Sequence, residues 1–343
     1  MAPLGGSDAH ATHRPASAPK VRRQPVHGVL LLDKPLGFSS NQALQKVKWL
    51  LKAEKGGHTG TLDPLATGVL PLCFGAATKF SQQHLDAHKR YRAVLRLGTA
   101  TTTGDAEGEV IQTAAVPALG PSMLDALAHS LHGQQQQVPP MYSALKKDGK
   151  PLYEYARAGV TVERESRSVE IFDIKLALSL VDVGFVAIDI DVLCSKGTYI
   201  RTLGEDIAKA LGTVGHLRQL RRTQTGDFTE QDCISLDDLV AMDETAQRQC
   251  LRAVQVLLPR HPSVVLDDAD AHRFLSGLRR RGPWPDTGEV AVFDRHRPPS
   301  LLGTAHIAGG ELIPQRLLNP LEIQQIRAQS TAAVSPIFED LNP

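Results

Sequence analysis

Between Val183 and Leu193 the chain alternates strictly, with Ile188, Ile190 and Val192 on one side and Asp189 and Asp191 on the other. A period of two marks a strand with one buried and one wet face. Strands of a doubly wound parallel sheet are apolar on both faces, so this segment points instead to an α+β fold around a mixed, mainly antiparallel sheet. Tyr91 to Leu97 and Val169 to Leu178 read as further strands, and GVLLLDKP from Gly28 as a short buried one closed by proline. Helices are predicted after Ser39 or Ser40, where Ala43, Leu44, Val47, Leu50 and Leu51 share a face, and at Ser122–His132, Leu152–Arg157 and Tyr199–Leu211 with Gly212 as its stop. In the last of these Arg201 falls in the first turn, off the apolar stripe. One further helical stretch is expected over Ser235–Leu257.

With 343 residues the chain has room for about two domains. Pro259 to Pro262 resembles a linker, and short strands follow it, so the boundary is placed at Pro262: a body over 26–261 and a small β-rich module over 262–320. Residues 1–25, rich in Pro, Ala and Arg, are expected to be a disordered basic arm, and 321–343 a flexible tail. Four scattered cysteines form neither a disulfide framework nor a zinc knuckle, and no apolar run reaches the roughly 18 uncharged residues of a membrane span. A reducing, cytoplasmic setting is expected. The formal net charge of +1 argues mildly against nucleic acid, although a neutral total can hide a basic face.

Nucleotide-binding glycine loops, zinc-protease and serine-hydrolase motifs are all missing. What stands out is the run from Gly56 to Gly75, with five glycines and two prolines, which reads as a long loop. It holds a single acid, Asp63, and Pro64 keeps that residue out of any helix. An Asx-turn is the more common reason for such an aspartate. Ser195–Arg201 (S-K-G-T-Y-I-R) brings Lys196 and Arg201 beside Tyr199, the equipment for phosphate and base contact or an ordinary strand-to-helix connection. Arg218, Arg221 and Arg222 crowd seven acid-free residues, which favours phosphate contact over a merely solvated face.

Together these segments resemble the TruB-type tRNA pseudouridine synthases. The blocks occur in one order: D-K-P-x-G-x-[ST]-S at Asp33–Ser40, G-H-T-G-T-L-D-P-L-A-T-G-V-L-P, K-R-Y-R at Lys89–Arg92, and G-D-A-E-G at Gly104–Gly108. P-P-M-Y-S-A-L-K at Pro139–Lys146, L-Y-E-Y-A-R-x-G at Leu152–Gly159, S-K-G-T-Y-I-R-T and L-R-R-T at Leu220–Thr223 follow. One departure is Thr102, where the family often has an acid.

The resemblance implies isomerisation of a T-loop uridine of tRNA, uridine 55, to pseudouridine, with no cofactor and no metal. It implies Asp63 as the catalytic aspartate, with Arg201 as its charge partner. Tyr91 and Tyr199 would meet the flipped base, Leu220 would wall its pocket, and His58 would take the place of the displaced base. Lys34, Lys196, Arg221 and Arg222 would touch substrate or RNA. The implied fold is a split sheet with a catalytic cleft, a thumb insertion over about 139–160 and a PUA-like C-terminal module. The implied partner is the tRNA T-stem-loop, bound by a monomer without a protein partner. A non-catalytic RNA-binding or tRNA-folding factor is the alternative. A glycosidase would need a second carboxylate, and the loop offers none.

Overall fold

The computed structural model describes residues 22–179 and 184–332. In chain order the elements that build the site are β1 (Gly28–Lys34), α1 (Ser40–Leu50), β2 (Gly56–His58), β3 (Ala66–Phe74), β4 (Lys89–Leu97), α2 (Pro121–Leu131) and β5 (Gly133–Gln137). They continue with β6 (Arg167–Leu178), β7 (Ala187–Cys194), α3 (Ile200–Ala210), β8 (Gly215–Thr225) and β9 (Ile234–Ser235). The large sheet runs β9-β1-β3-β8-β4-β7-β6-β5, with β2 added on β3 and Phe228–Thr229 on β8. Two contacts, β1 with β9 and β3 with β8, are parallel, and the others along that path are antiparallel. The expected mixed, mainly antiparallel α+β fold is what the chain adopts.

Alternation decides which face each strand buries. Ile188, Ile190 and Val192 of β7 join Ala93 and Leu95 of β4 beneath α1 and α3, in a core with Leu44, Val47, Leu203 and Ile207. Asp189 and Asp191 point to the other side, where Asp191 pairs with Arg90. On that second face, Val29, Leu31, Val69 and Phe80 pack against Phe274, Val290, Val292 and Leu302 of a smaller sheet. This sheet starts at Ser263 and contains Ser263–Leu266, Thr287–Asp294, Leu301–Ala308, Glu311–Leu317 and Arg280–Arg281, in that spatial order. The small sheet therefore shares its core with the body.

Four expectations need correction. The supposed loop at 56–75 is largely strand, β2 and β3, because its apolar residues are buried on both faces. Pro71 is tolerated since β8 pairs β3 only at Ala66–Gly68 and β2 pairs it only at Leu72–Phe74, so the proline sits where that edge has no ladder partner. The stretch 235–257 breaks into Leu236–Ala241, Glu244–Gln249 and a 3-10 turn at Val254–Leu257, the second opened by Asp243 accepting from the Ala246 amide. Residues 320–332 are not a flexible tail but a helix, Pro320–Ala332, that returns to the body. Ile323 is buried there, Glu322 pairs with Lys79 at 2.7 Å, and Gln325 meets the His27 ring at 2.8 Å. The order at the other end begins before Val26, since the Gln24 amide donates to the Lys52 carbonyl; the arm up to residue 21 and the tail from 333 lie outside the described residues.

Candidate active site

Beyond the short contact at Ala66–Gly68, β3 and β8 part, and the turn 59–65 lies in the opening. Gly68 makes the contact possible: its φ is +100°, and a Cβ there would stand 2.1 Å from the Arg222 carbonyl oxygen. The turn is pinned from below by the Asp33–Ser40 segment. Ser40, buried at the start of α1, accepts from the Leu62 amide at 2.7 Å and donates to the Leu62 carbonyl at 3.0 Å. The Gly37 amide donates to the Pro64 carbonyl at 2.9 Å. Lys34 is fully buried, and its ammonium donates to the carbonyls of Pro35, Phe38 and Pro64. Asp63 is thus fixed by bonds to the residues on either side of it.

Its carboxylate faces Arg201. Asp63 Oδ2 lies 2.9 Å from Arg201 Nε, an ion pair between a buried guanidinium and a carboxylate whose side chain is 34% exposed. The guanidinium cannot swing away, because its Nη1 donates to the Thr103 carbonyl and its Nη2 to the Tyr142 carbonyl, both at 2.7 Å. Asp105, also buried, stands 3.7 Å from the same Nε. Burial raises the Asp63 pKa above the ordinary carboxylate range, Arg201 pulls it back down, and the negative charge of Asp105 adds to the rise. Protonating Asp63 would leave the buried guanidinium with Asp105 alone at the longer distance, so the pair favours the anion.

Asp105 lies inside the G-D-A-E-G block, and nothing in its spacing announces that a bridge to Leu217 carries it to Arg201. It is the second carboxylate that a glycosidase would require, yet it accepts from the Thr103 hydroxyl and the Glu107 amide and is 2% exposed, so it cannot reach a leaving group.

The other predicted residues divide. Tyr91 is buried on β4, and burial pushes its phenol up. Tyr199 caps α3, with Gln137 accepting from its amide at 2.9 Å and donating to its carbonyl at 3.2 Å. His58, at the end of β2, has a buried Nδ1 without a hydrogen-bond partner among the described residues, and burial together with the Arg222 charge lowers the pKa of its ring. Leu220 lines a cavity of about 750 Å³ beside the opening, along with Leu36, Leu65 and Thr67. Lys196 is exposed and pairs with Asp86 at 2.7 Å.

Three of the cations expected to touch RNA do something else. Arg222 is 1% exposed and its Nε donates to the Val69 carbonyl at 2.7 Å, which makes it part of the core that holds β3. Arg221 is saturated by Asp33, at 2.9 Å from both terminal nitrogens, and by Glu230 at 2.7 Å. Lys34 is the buried clamp described above. Arg218, on the cavity wall, is exposed and makes no ion pair among the described residues.

Both the sequence and the fold of this chain match known proteins. Residues 48–200 match the N-terminal domain of the TruB family pseudouridylate synthases, and 201–259 match the C-terminal domain of tRNA pseudouridylate synthase B. The chain belongs to the TruB family. It is 60% identical over 316 residues to tRNA pseudouridine synthase B of Verminephrobacter eiseniae, covering 92% of this chain and 95% of that one. It is 53% identical to the protein of that name from Cupriavidus metallidurans, covering 91% and 99%. A chain in the crystal structure of a Cbf5-Nop10-Gar1 complex shares the fold at a TM-score of 0.64 and 23% identity, covering 92% of this chain and 94% of that one. Another, in an H/ACA RNP bound to a substrate RNA containing 2′-deoxyuridine, has a TM-score of 0.62 at 22% identity, covering 86% of each chain.

Proposed function

We propose that this chain is a tRNA pseudouridine synthase that acts on the T-loop uridine 55, with Asp63 as its catalytic group. The observation that carries this reading is the 2.9 Å pair between Asp63 and Arg201 at the opening of the sheet, in a chain of the TruB family. The reaction breaks the bond from C1′ to N1 and forms one from C1′ to C5; C5 loses a proton and N1 gains one, so no atoms are gained overall. Asp63 either attacks C1′ or takes a sugar proton to begin elimination, and both routes need the anion that Arg201 favours.

A stacked uridine cannot reach Asp63, so the base must be flipped out, at a cost of a few kcal/mol. Tyr91 and Tyr199 would receive the base at the site, and stacking worth ~1–3 kcal/mol per base offsets much of that cost. His58 would fill the place the base leaves. Leu220 walls the neighbouring cavity, Arg218 is an exposed cation available to phosphates, and Lys196 would exchange its exposed pair with Asp86 for one. Residues 139–160 act as the thumb, whose Tyr142 carbonyl already holds Arg201. The module over 262–320 is a PUA-like RNA-binding domain, and the protein works in the cytoplasm as a monomer; no described helix is long and apolar enough to cross a membrane.

Incubation with unmodified tRNA, followed by mapping of pseudouridine at nucleotide resolution, tests the assignment. Conversion at uridine 55 supports it. Tight binding without conversion would favour the tRNA-folding alternative.

A further inference from the structure

The small module carries two runs of basic side chains, and they differ in what answers them. In the run Arg279–Arg281 each guanidinium meets an acid: Arg279 and Arg281 pair with Glu311, and Arg280 pairs with Asp270. In the hairpin loop between Thr287–Asp294 and Leu301–Ala308, Arg295, His296 and Arg297 are all exposed, and neither arginine makes an ion pair among the described residues. The acid at the base of this loop, Asp294, is already taken. It is 3% exposed; one of its oxygens accepts from the His296 amide at 3.1 Å and the Ser300 amide at 2.9 Å, and the other accepts from Arg327. A buried carboxylate is costly unless it is paired and hydrogen-bonded, and here those bonds fix the shape of the loop. Arg327 also donates to the Ser300 hydroxyl at 2.8 Å. It belongs to the helix Pro320–Ala332, whose Gln325 meets the His27 ring, which in turn accepts from the Ala76 amide at 2.9 Å. The loop is thereby tied to the end of β3 that lies away from Asp63, with the roughly 25 Å length of that strand between them.

We infer that Arg295 and Arg297 are a second RNA contact, made to backbone phosphates of the tRNA outside the T-stem-loop. The inference rests on the proposed function; it names the part of the module that meets the substrate and the part of the substrate that it meets. The substrate is a polyanion, and this loop is positive charge with no counter-charge of its own, whereas Arg279–Arg281 is neutralised within the module. A guanidinium fork matches phosphate oxygens, and a loop already held by Asp294 and Arg327 offers its two forks without having to be ordered on binding. Its place at the far end of β3 puts it beyond the nucleotides around a uridine seated at Asp63, so the contact falls on the rest of the tRNA.

The test measures equilibrium binding of the full chain to full-length unmodified tRNA and to an isolated T-stem-loop hairpin, each over a series of salt concentrations. The proteins are wild type, the double variant Arg295→Ala with Arg297→Ala, and the double variant Arg295→Lys with Arg297→Lys. The alanine pair should bind full-length tRNA about tenfold more weakly, with the slope of log K against log salt reduced by about 1.4–1.8, the share of two phosphate contacts. Its affinity for the hairpin, and its turnover of the hairpin, should match wild type. The lysine pair keeps the charge and should keep the slope. Unchanged affinity and slope on full-length tRNA would overturn the contact, as would an equal loss on the hairpin, which would place the loop on the T-stem instead. If the alanine pair melts early, Arg295→Gln with Arg297→Gln, long and polar but uncharged, is read by the same slope. Binding is measured without turnover, so a wild type that binds tRNA but converts no uridine sinks the functional reading, while the slopes still decide the loop.

Discussion

Arg201 meets Asp63 at 2.9 Å through Nε while the carbonyls of Thr103 and Tyr142, each at 2.7 Å, hold both of its terminal nitrogens. Two hydrogen bonds at the terminal nitrogens and an ion pair at Nε restrain the planar guanidinium, a geometry that a lysine ammonium cannot reproduce. Arg201→Lys and Arg201→Ala should therefore both lower the single-turnover rate by about a hundredfold or more, with tRNA affinity within a few-fold. Stopped-flow or quench measurements on tRNA in excess enzyme decide it. A lysine variant with near-normal chemistry would mean that charge alone matters.

Asp105 is the second carboxylate on the Arg201 Nε. Asp105→Asn keeps the shape but removes a buried charge that faces Arg201 at 3.7 Å. Its loss lowers the Asp63 pKa, since the like charge of Asp105 helps to raise it. The variant should also lose about 1–3 kcal/mol of stability through weakened bonds to the Thr103 hydroxyl and the Glu107 amide. A denaturant titration together with a pH–rate profile reads both effects, and an unmoved acid limb would place Asp105 outside the network.

Two ionisations should bound the activity. Asp63 acts as an anion, and because its pKa is raised, the acid limb should lie above the ordinary aspartate value of about 3.9, with activity lost as pH falls through it. Burial lowers Lys34 to about 8, so above that pH the ammonium gives up a proton and with it part of its grip on the Pro35, Phe38 and Pro64 carbonyls. Activity should then decline above about pH 8, while Lys34→Met, which lacks the clamp at every pH, should be slow throughout and show no alkaline limb. A wild-type rate that stays flat to about pH 10 contradicts this use of Lys34.

The arginines of β8 should separate by burial. Arg222→Ala empties a core position and leaves the Val69 carbonyl without its donor, so it should cost about 2–4 kcal/mol of stability. Arg218→Ala should leave stability unchanged and reduce the slope of log K against log salt by about 0.7–0.9. Reversed results would return Arg222 to the RNA surface.

How much of this could be read from the sequence follows from what each signal depends on. Alternation in β7 and the three-and-four spacing in α1 and α3 are local properties; α1 and α3 stand where they were expected, and β7 begins at Ala187 rather than at Val183, which lies outside the described residues. The prominence of Asp63 was likewise local, since Pro64 and the glycines around it mark an acid held outside regular structure. Charge partners depend on tertiary contact and were harder to see. Arg201 lies off the apolar stripe of α3 and is buried all the same, because two acids and two carbonyls from distant segments enclose it. Arg221 and Arg222 looked like a basic patch for the same reason in reverse: Asp33 and the Val69 carbonyl are far away in the chain, and Glu230 reaches Arg221 only because the chain turns back after β8. Composition misled at β3, where glycine and proline suggest a loop but the pairing gap at Pro71 lets a strand pass.

The most direct measurement is tritium release from tRNA labelled at C5 of uridine, because the isomerisation must expel that hydrogen. Wild type should release one equivalent per target uridine. Asp63→Asn, with the loop clamps intact and tRNA binding within a few-fold, should release none. Tritium release by Asp63→Asn at a rate near wild type would contradict the assignment of Asp63 as the catalytic group.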